Sequence, residues 1–242
     1  MDLPQSRSMA LYGGRDPRHI PIYSYSEAAR LAHVPQATLR AWVLGRSYTT
    51  GTGDRFSKPV IQRPEPAIAL VSFTNVVEAH VLSCIRTIHN VSLDKVRAAV
   101  EYTEAQLSVE HPLASGRFMT DGVNLFVDHF GRLLNVSRSG QLEMRECIER
   151  LLKRIELDEL QFARRLYPIT RASANGQGPT SIMLDPLVAF GRPVITGTRV
   201  PVEVLWQRFD GGDSFEDLAK DYEITVSQIE DAIRFCSRAA AA

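Results

Sequence analysis

Cysteine is scarce in this sequence, and the cysteines that are present form no recognisable pattern. The 242 residues include three cysteines, none of them in a C-x-x-C pair, and they are Cys84, Cys147 and Cys236. A zinc ribbon or a disulfide framework needs cysteines that are more numerous and more closely spaced, so both classes are excluded. The wide spacing fits a reducing compartment.

Long apolar runs are absent as well. The N-terminal residues lack the apolar core that a signal peptide needs. The longest apolar stretch, residues 67–71, is far too short to cross a bilayer. We therefore expect a cytoplasmic protein that does not contact a membrane.

Signatures of catalysis and of metal binding are also missing. The sequence contains no G-x-S-x-G, P-loop or Rossmann pattern, so we expect neither an enzyme nor a bound cofactor. His80 and His89 are nine residues apart on one predicted helix and point in different directions, so they make a poor pair of metal ligands. The acidic residues between 210 and 217 miss the EF-hand order, and Ser214 as a helix cap explains them without a metal.

Charge is balanced in the whole chain but not along it. The totals are 28 basic and 28 acidic side chains, with an ordinary globular composition that allows one to three domains. Residues 1–90 carry 10 basic and 6 acidic side chains, whereas residues 181–242 carry 6 basic and 10 acidic ones. An anionic partner such as duplex DNA should prefer the N-terminal end.

The pattern near the N-terminus predicts a helix-turn-helix. Ser24 or Ser26 can cap a first helix, and Pro35 suits the start of a second one, because the first turn of a helix needs no amide donor from it. That second helix spans residues 36–44 and ends at Gly45. Two helices with a four-residue break between them are typical of this motif.

A Gly- and Pro-rich basic loop at residues 46–66, with a strand candidate at 59–62, follows in the position of a wing. On the helix, Leu39, Trp42 and Val43 are expected to face the core. The predicted DNA-contacting residues are Gln36, Thr38, Arg40, Arg46, Arg55, Lys58 and Arg63. A packing motif that contacts no DNA remains the alternative.

The remaining periodicity favours a mainly α fold with small β elements. We expect helices at 73–88 and 92–109, a hairpin within 118–136 and a long amphipathic helix at 141–166. The predicted organisation is an arm at 1–21, a winged helix-turn-helix domain at 22–110, a hairpin-plus-helix connector at 111–171, a linker at 172–180 and a tri-helical domain at 181–242.

The last domain contains a second helix-turn-helix pattern. Short strands at 194–195 and 200–202 flank a turn in which Gly197 supplies a positive φ. Helices are expected at 203–209, 214–222 and 226–238. The candidate recognition helix presents the polar and acidic residues Ser227, Gln228, Glu230 and Asp231. Carboxylates repel phosphates, so this unit is expected to contact protein rather than DNA.

Two resemblances add to this interpretation. The residues Gly191, Pro193, Ile195, Gly197, Thr198, Arg199, Val200 and Val202 match G-x-P-x-I-x-G-T-R-(I/V)-x-V. This motif resembles a bacterial domain of unknown function found in antitoxins encoded beside PIN-type ribonuclease toxins, and the longer architecture is similar to mycobacterial VapB-type antitoxins. The stretch Y-S-x-x-E-A-A-R-L-A-x-V-P-x-x-T-L-R-x-W is similar to the reading head of MerR-type regulators, but residues 40–43 are R-A-W-V where that family has R-Y-Y-E.

These resemblances imply two functions. The first is a type II antitoxin that binds a ribonuclease toxin and represses its own operon as a homodimer, with toxin contacts through Arg199, Arg164 and Arg165. Arg199 could instead pair with an acidic group of its own domain. The second is a stand-alone MerR-like regulator whose C-terminal domain serves dimerisation or sensing.

Overall fold

The computed structural model describes residues 12–51, 53–87, 92–169 and 178–240, without the side chains of residues 50, 86, 87 and 238–240. Contacts divide the chain into two compact units. The N-terminal unit runs from Arg18 to Ala163, and the C-terminal unit combines the residues up to Pro17 with those from Arg164 onward. The predicted arm and linker fall largely outside the described residues, and the predicted domain boundaries stay predictions.

The fold is mainly helical with small antiparallel strand pairs, as expected. The N-terminal unit begins with the predicted helix-turn-helix. Ser24 caps its first helix by accepting the Glu27 amide. The helices of this unit are α1 (Tyr25–Leu31), α2 (Gln36–Leu44), α3 (Phe73–Leu82), α4 (Leu93–Leu107), α5 (Val123–Leu134) and α6 (Arg138–Leu152).

Two small sheets flank these first helices. Strand β1 (Tyr23–Ser24) pairs with β4 (Leu70–Val71), and β2 (Arg46–Thr50) pairs with β3 (Gly53–Ser57), both antiparallel. The strand expected at 59–62 is wrong. The amides of Val60 and Ile61 both donate to the Trp42 carbonyl, at 2.8 and 3.0 Å, so this backbone closes the end of α2 instead of pairing with a strand.

Helix α3 is the centre of the N-terminal unit. All ten of its residues are buried, and it packs against both α1 and α6. Its first turn is fixed by a capping box in which Ser72 and Asn75 each bond the other's backbone amide. Helix α2, which carries the DNA-reading candidates, packs against α1 and is thereby connected to this buried helix. The predicted end of α3 at residue 88 lies outside the described residues; after Leu82 the chain forms a 3₁₀ turn, Ser83–Thr87.

The hairpin expected within 118–136 is wrong, because this segment is helical. A π-helical turn at Phe118–Gly122 leads into α5. The buried residues Val123, Phe126, Val127 and Phe130 recur at helical spacing, and Asn135 ends the helix in a left-handed conformation with φ 53°. A short contiguous apolar run looks like a strand, and only its continuation to Phe130 shows the helical period.

The long helix expected at 141–166 is also shorter than predicted. It ends at Leu152 and is followed by β5 (Ile155–Leu157) and β6 (Ala163–Leu166). Between these strands the Asp158 carboxylate accepts the amides of Leu160 and Phe162, at 3.0 and 2.9 Å, which fixes a turn. The apolar residues of α6, among them Met144 and Ile148, are buried in the chain's own core.

The C-terminal unit begins within β6, where Leu166 and Leu184 exchange backbone hydrogen bonds of 3.0 and 2.8 Å. Strand β7 (Ile182–Met183) pairs antiparallel with β8 (Val194–Ile195). The second strand expected at 200–202 is present only as an isolated antiparallel bridge between Pro201 and Val194. The Ile195 amide donates to the Val200 carbonyl and the Val202 amide to the Pro193 carbonyl, both at 3.0 Å, and α7 begins at Val202. The helices α7 (Val202–Asp210), α8 (Phe215–Asp221) and α9 (Val226–Ala240) pack against one another.

Across the described parts of both units, no helix has the length and apolar composition that crossing a bilayer requires.

Candidate nucleic-acid interface

The turn between α1 and α2 is held by backbone hydrogen bonds. The amide of Ala32 donates to the Ala28 carbonyl at 2.9 Å, and that of Val34 donates to Ala29 at 2.9 Å. His33 between them adopts a left-handed conformation with φ 59°. This geometry lets the second helix start at Gln36 with its axis redirected, as a helix-turn-helix requires.

One face of α2 belongs to the core and the other is open. Leu39, Trp42 and Val43 are buried, as predicted from their spacing. Gln36 and Arg40 are exposed on the opposite side, together with Ala37. Thr38 is half-buried at the edge of this face. The open face thus has a polar amide and a guanidinium on either side of a small residue, which suits close approach to a nucleic-acid groove.

Arg40 does not extend freely into solvent. Its guanidinium carbon lies 5.5 Å from the centre of the Tyr25 ring, a cation–π distance. Tyr25 is itself buried at the start of α1. A stacked guanidinium loses less conformational entropy on binding than a mobile one, so this contact prepares Arg40 for an anionic partner.

Arg63 is engaged in hydrogen bonds within the chain. Its guanidinium donates to the Tyr25 hydroxyl and to the Ile68 carbonyl, both at 2.8 Å. These bonds tie the loop after β3 to α1. Lys58 is exposed on that loop, and its carbonyl accepts a bond from Arg97 at 3.2 Å. The structure therefore gives Arg63 a bracing function and leaves Lys58 at the surface.

Gly45 joins α2 directly to the hairpin of β2 and β3. Its backbone has φ 78° and ψ −176°, a combination that residues with a Cβ atom rarely adopt. A Cβ placed here would lie 2.3 Å from the Ser57 carbonyl oxygen and 2.5 Å from the Phe56 ring. The glycine thereby fixes the hairpin at the end of α2.

The hairpin sorts its side chains onto two faces. Tyr48 is opposite Arg55 in the register, and Arg46 lies two residues before Tyr48, so these three share one face. The other face includes Phe56, whose ring lies against Gly45, and the Asp54 carboxylate, which accepts the Thr49 hydroxyl at 2.7 Å. The acidic residue is thus kept away from the face that carries the two arginines.

A buried polar network supports the loop behind this surface. The Asn75 amide donates to the Gln62 carbonyl at 2.8 Å and to the Glu78 carboxylate at 3.1 Å. Glu78 also bonds His111 Nδ1 at 2.9 Å, and this bond raises the pKa of His111 against the opposing effect of burial. Sequence reasoning missed Tyr25, Tyr48 and this network; alternation along residues 46–48 was the available signal for Tyr48.

The C-terminal unit presents Arg199 on a tightly bonded turn. Gly197 has φ 83°, as predicted, and a Cβ added there would meet nothing within 4 Å. The Thr198 hydroxyl donates to the Ile195 carbonyl at 2.9 Å and accepts the Val200 amide at 3.0 Å. Thr196 bonds the Thr180 carbonyl. Arg199 is exposed at the end of this turn.

Arg164 and Arg165 lie on β6, not at the end of a helix as expected. The Nε atoms of Arg165 and Arg164 are 2.9 and 3.8 Å from Asp185 Oδ2. Asp185 is 1% exposed, so its charge needs these partners. Both arginines are therefore engaged within their own unit.

The acidic residues of α8 and α9 are explained locally. Arg208 pairs with Asp213 and, at 2.8 Å, with Asp221. Ser214 caps α8 by accepting the Asp217 amide at 3.1 Å. On α9, the buried Asp231 carboxylate accepts the Ser181 hydroxyl at 2.6 Å.

Comparisons with known proteins match two separate parts of the chain. Residues 21–100 match a family model described as "Putative DNA-binding HTH domain", and residues 182–236 match one described as "Protein of unknown function (DUF433)".

Two Mycobacterium tuberculosis proteins are similar along most of their length. "Putative antitoxin VapB45" is 28% identical, covering 88% of this chain and 93% of that protein. "Uncharacterized protein Rv2308" is 27% identical, covering 90% of each. The crystal structure of Rv2018 from the same organism superposes with a TM-score of 0.64 at 25% identity, covering 89% of this chain and 98% of that one.

Proposed function

We propose that the chain is an antitoxin with two tasks. Its N-terminal unit binds operator DNA as a winged helix-turn-helix and represses its own operon. Its C-terminal unit, a tri-helical domain, binds and neutralises a PIN-type ribonuclease toxin. The observation that carries the DNA-binding half is the open face of α2, on which Gln36 and Arg40 are exposed, followed directly by a hairpin with two arginines on one face. The relative described as an antitoxin supports the other half.

The proposed DNA surface assigns separate tasks to its residues. We assign Gln36 and Arg40 to reading base edges in the major groove. On one face of the hairpin, Arg46 and Arg55 would contact phosphates, and Tyr48, opposite Arg55, would add a polar hydroxyl. Thr38 and Lys58 lie at the margin of this surface. Arg63 contributes through the loop that it holds, not through a direct contact.

A salt titration tests the hairpin's share of binding. Arg46→Ala with Arg55→Ala should weaken binding to upstream operator DNA about tenfold and lower the slope of log affinity against log salt by about 2. Fluorescence anisotropy measures both quantities. Arg138→Ala with Lys153→Ala removes the same charge from exposed positions on and after α6 and should change neither. Equal losses in both double variants would reduce the hairpin's role to general electrostatics.

The toxin-binding half rests on Arg199. PIN-type nucleases hold divalent cations with clustered carboxylates, and an arginine held out on a rigid turn can enter such a site. The bonded turn around Thr198 supplies that rigidity. The exposed carboxylates of α8 suit the basic RNA groove of a nuclease around such a site. Arg164 and Arg165 remain proposed toxin contacts. Because both arginines pair with Asp185, they would contact the toxin only with the parts of their side chains that this pairing leaves exposed.

Co-expression with the neighbouring gene tests this half and separates it from a stand-alone regulator. We expect the full chain to restore growth and to co-purify with the nuclease, and Arg199→Glu to lose both properties. Arg192→Glu, an equal charge change at another exposed arginine of the unit, is the control. If no neighbouring product binds, the chain is a regulator without a toxin.

We expect a homodimer, because helix-turn-helix proteins usually bind two DNA half-sites with one subunit on each. Because the apolar face of α6 is buried within the chain, the interface has to use other residues. Light scattering at micromolar concentration should give twice the 27.0 kDa chain mass, and a monomer would contradict this part of the proposal.

A further inference from the structure

Two cysteines that are distant in sequence meet in the N-terminal unit. Cys84 lies in the 3₁₀ turn Ser83–Thr87, and Cys147 lies on α6, which packs against that turn. Their side chains form a hydrogen bond with each other. Both are free thiols. This arrangement brings two sulfur atoms together from separate elements of one compact unit.

The two thiols differ in access. Cys84 is 3% exposed, with its sulfur 3.2 Å from the Val81 carbonyl oxygen, so solvent does not reach it. Cys147 is only half-buried. A small oxidant therefore reaches Cys147 before it reaches the buried Cys84.

Local charge favours the thiolate of Cys147. The hydrogen bond from Cys84, followed by a hydrogen bond and positive charge from Arg150 one turn along α6, lowers the pKa of Cys147 against partial burial. The same bond, together with burial, raises the pKa of Cys84. One sulfur is thus prepared as a nucleophile and the other as a protonated donor, the division of labour found in reactive cysteine pairs.

We propose that Cys147 and Cys84 form a peroxide-reactive dithiol, with Cys147 as the attacking thiolate and Cys84 as the resolving thiol. The Cys147 sulfur attacks one oxygen of a hydroperoxide, the O–O bond breaks, and a sulfenic acid and an alcohol or water result. Cys84 then attacks the sulfenic sulfur, an S–S bond forms, and the hydroxyl leaves as water with the Cys84 proton. Two thiols lose two electrons in total, and one peroxide gains them.

The disulfide would connect α6 to the segment that directly follows α3. Since α3 also packs against α1, the cross-link lies in the support of the helix-turn-helix. The proposal does not depend on the identity of the DNA or of the toxin.

Treating the full-length reduced protein with one equivalent of hydrogen peroxide tests the proposal. Peptide mapping by mass spectrometry should find an intramolecular Cys84–Cys147 disulfide and two lost thiols. Cys236→Ser is the matched control, since Cys236 lies in the C-terminal unit, and it should oxidise like the parent protein. Recovery of mixed, intermolecular or Cys236-containing disulfides as the main product would overturn the proposal.

Single replacements assign the two roles. Cys84→Ser should stop at a Cys147 sulfenic acid that dimedone traps, formed at least about tenfold faster than any product at Cys236. Cys147→Ser should leave Cys84 unreacted on the same timescale. Because mapping of the parent protein needs no variant, a replacement that misfolds does not remove the test. Equal reactivity of Cys147 and Cys236 would contradict the assignment of roles.

Discussion

The two units contain the same helix–turn–helix backbone with different surfaces. In each, a serine caps the first helix and the turn contains a left-handed residue at its second position, His33 with φ 59° and Glu223 with φ 54°. Each residue of the N-terminal motif is equivalent to the residue 190 positions later in the C-terminal motif. The matching amide-to-carbonyl pairs are Ala32–Ala28, His33–Arg30 and Val34–Ala29 in one unit and Tyr222–Leu218, Glu223–Lys220 and Ile224–Ala219 in the other.

The side chains on this shared backbone have opposite charge. Where α2 presents Arg40, the equivalent position of α9 has Glu230, which pairs with Arg234 at 3.4 Å. Where α1 begins with Tyr25, α8 begins with Phe215, which stacks on Phe209 with ring centres 4.9 Å apart. The turn geometry alone therefore does not make a DNA reader. The sign of the charge on the second helix and the hairpin after it distinguish the two units.

Replacing a glycine in each unit should give the largest difference in stability between the two units. Gly45→Ala combines a forbidden backbone conformation with a Cβ clash at 2.3 Å, and we expect a loss of about 4 kcal/mol in the free energy of unfolding. Gly197→Ala has the backbone strain without the clash and should cost about 1 kcal/mol. Urea denaturation followed by tryptophan fluorescence measures both.

The two tryptophans, Trp42 and Trp206, fall in different units and so report each one separately. Similar losses for both glycine variants would show that the junction between α2 and β2 relaxes to accept a side chain.

Acid should weaken the N-terminal unit alone. Burial lowers the pKa of His80 to about 4, from 6.5 for a free histidine. Its stabilising effect is fully present above pH 6.5 and is lost as the pH falls toward 4, by about 3 kcal/mol in total. His111, whose pKa is raised, contributes a constant amount in this window, since its effect is lost only as the pH rises. Urea midpoints from Trp42 in a Trp206→Phe background measure the loss, and midpoints from Trp206 in a Trp42→Phe background follow the C-terminal unit.

All six histidines lie between residues 18 and 163, so the C-terminal unit provides the internal control. His80→Gln should flatten the pH dependence of the N-terminal unit. An equal loss in both units between pH 6.5 and 5 would show that another group controls the acid response.

Exchanging the two aromatic residues should have the smallest effect. Tyr25→Phe removes the hydroxyl that Arg63 donates to and should cost about 1 kcal/mol of stability, with a fewfold loss of DNA affinity as the loop loosens. Phe215→Tyr, at the equivalent position, should leave DNA affinity unchanged. Anisotropy and urea denaturation check the two quantities, and a DNA effect from Phe215→Tyr would place the C-terminal unit near the nucleic acid.

Local signals predicted much of this arrangement. The serine caps, Pro35 and the burial of Leu39 and Trp42 are short-range properties, and the sequence shows them directly. Residues 118–134 were misassigned because a strand and a buried helix share short apolar runs. The stacking of Arg40 on Tyr25 and the bracing by Arg63 depend on tertiary contacts, since Arg63 lies 38 positions from Tyr25. Charge alone suggested a DNA contact for Arg63 and gave no sign of this bracing.

Reversing the charge at equivalent positions tests the central claim most directly. In one anisotropy titration with the chain's own upstream duplex, Arg40→Glu should weaken binding about 100-fold, because a contact becomes a repulsion. Glu230→Arg should leave affinity within about twofold of the parent protein. Retained binding in Arg40→Glu, or a comparable change from Glu230→Arg, would contradict the assignment of DNA reading to the N-terminal helix-turn-helix.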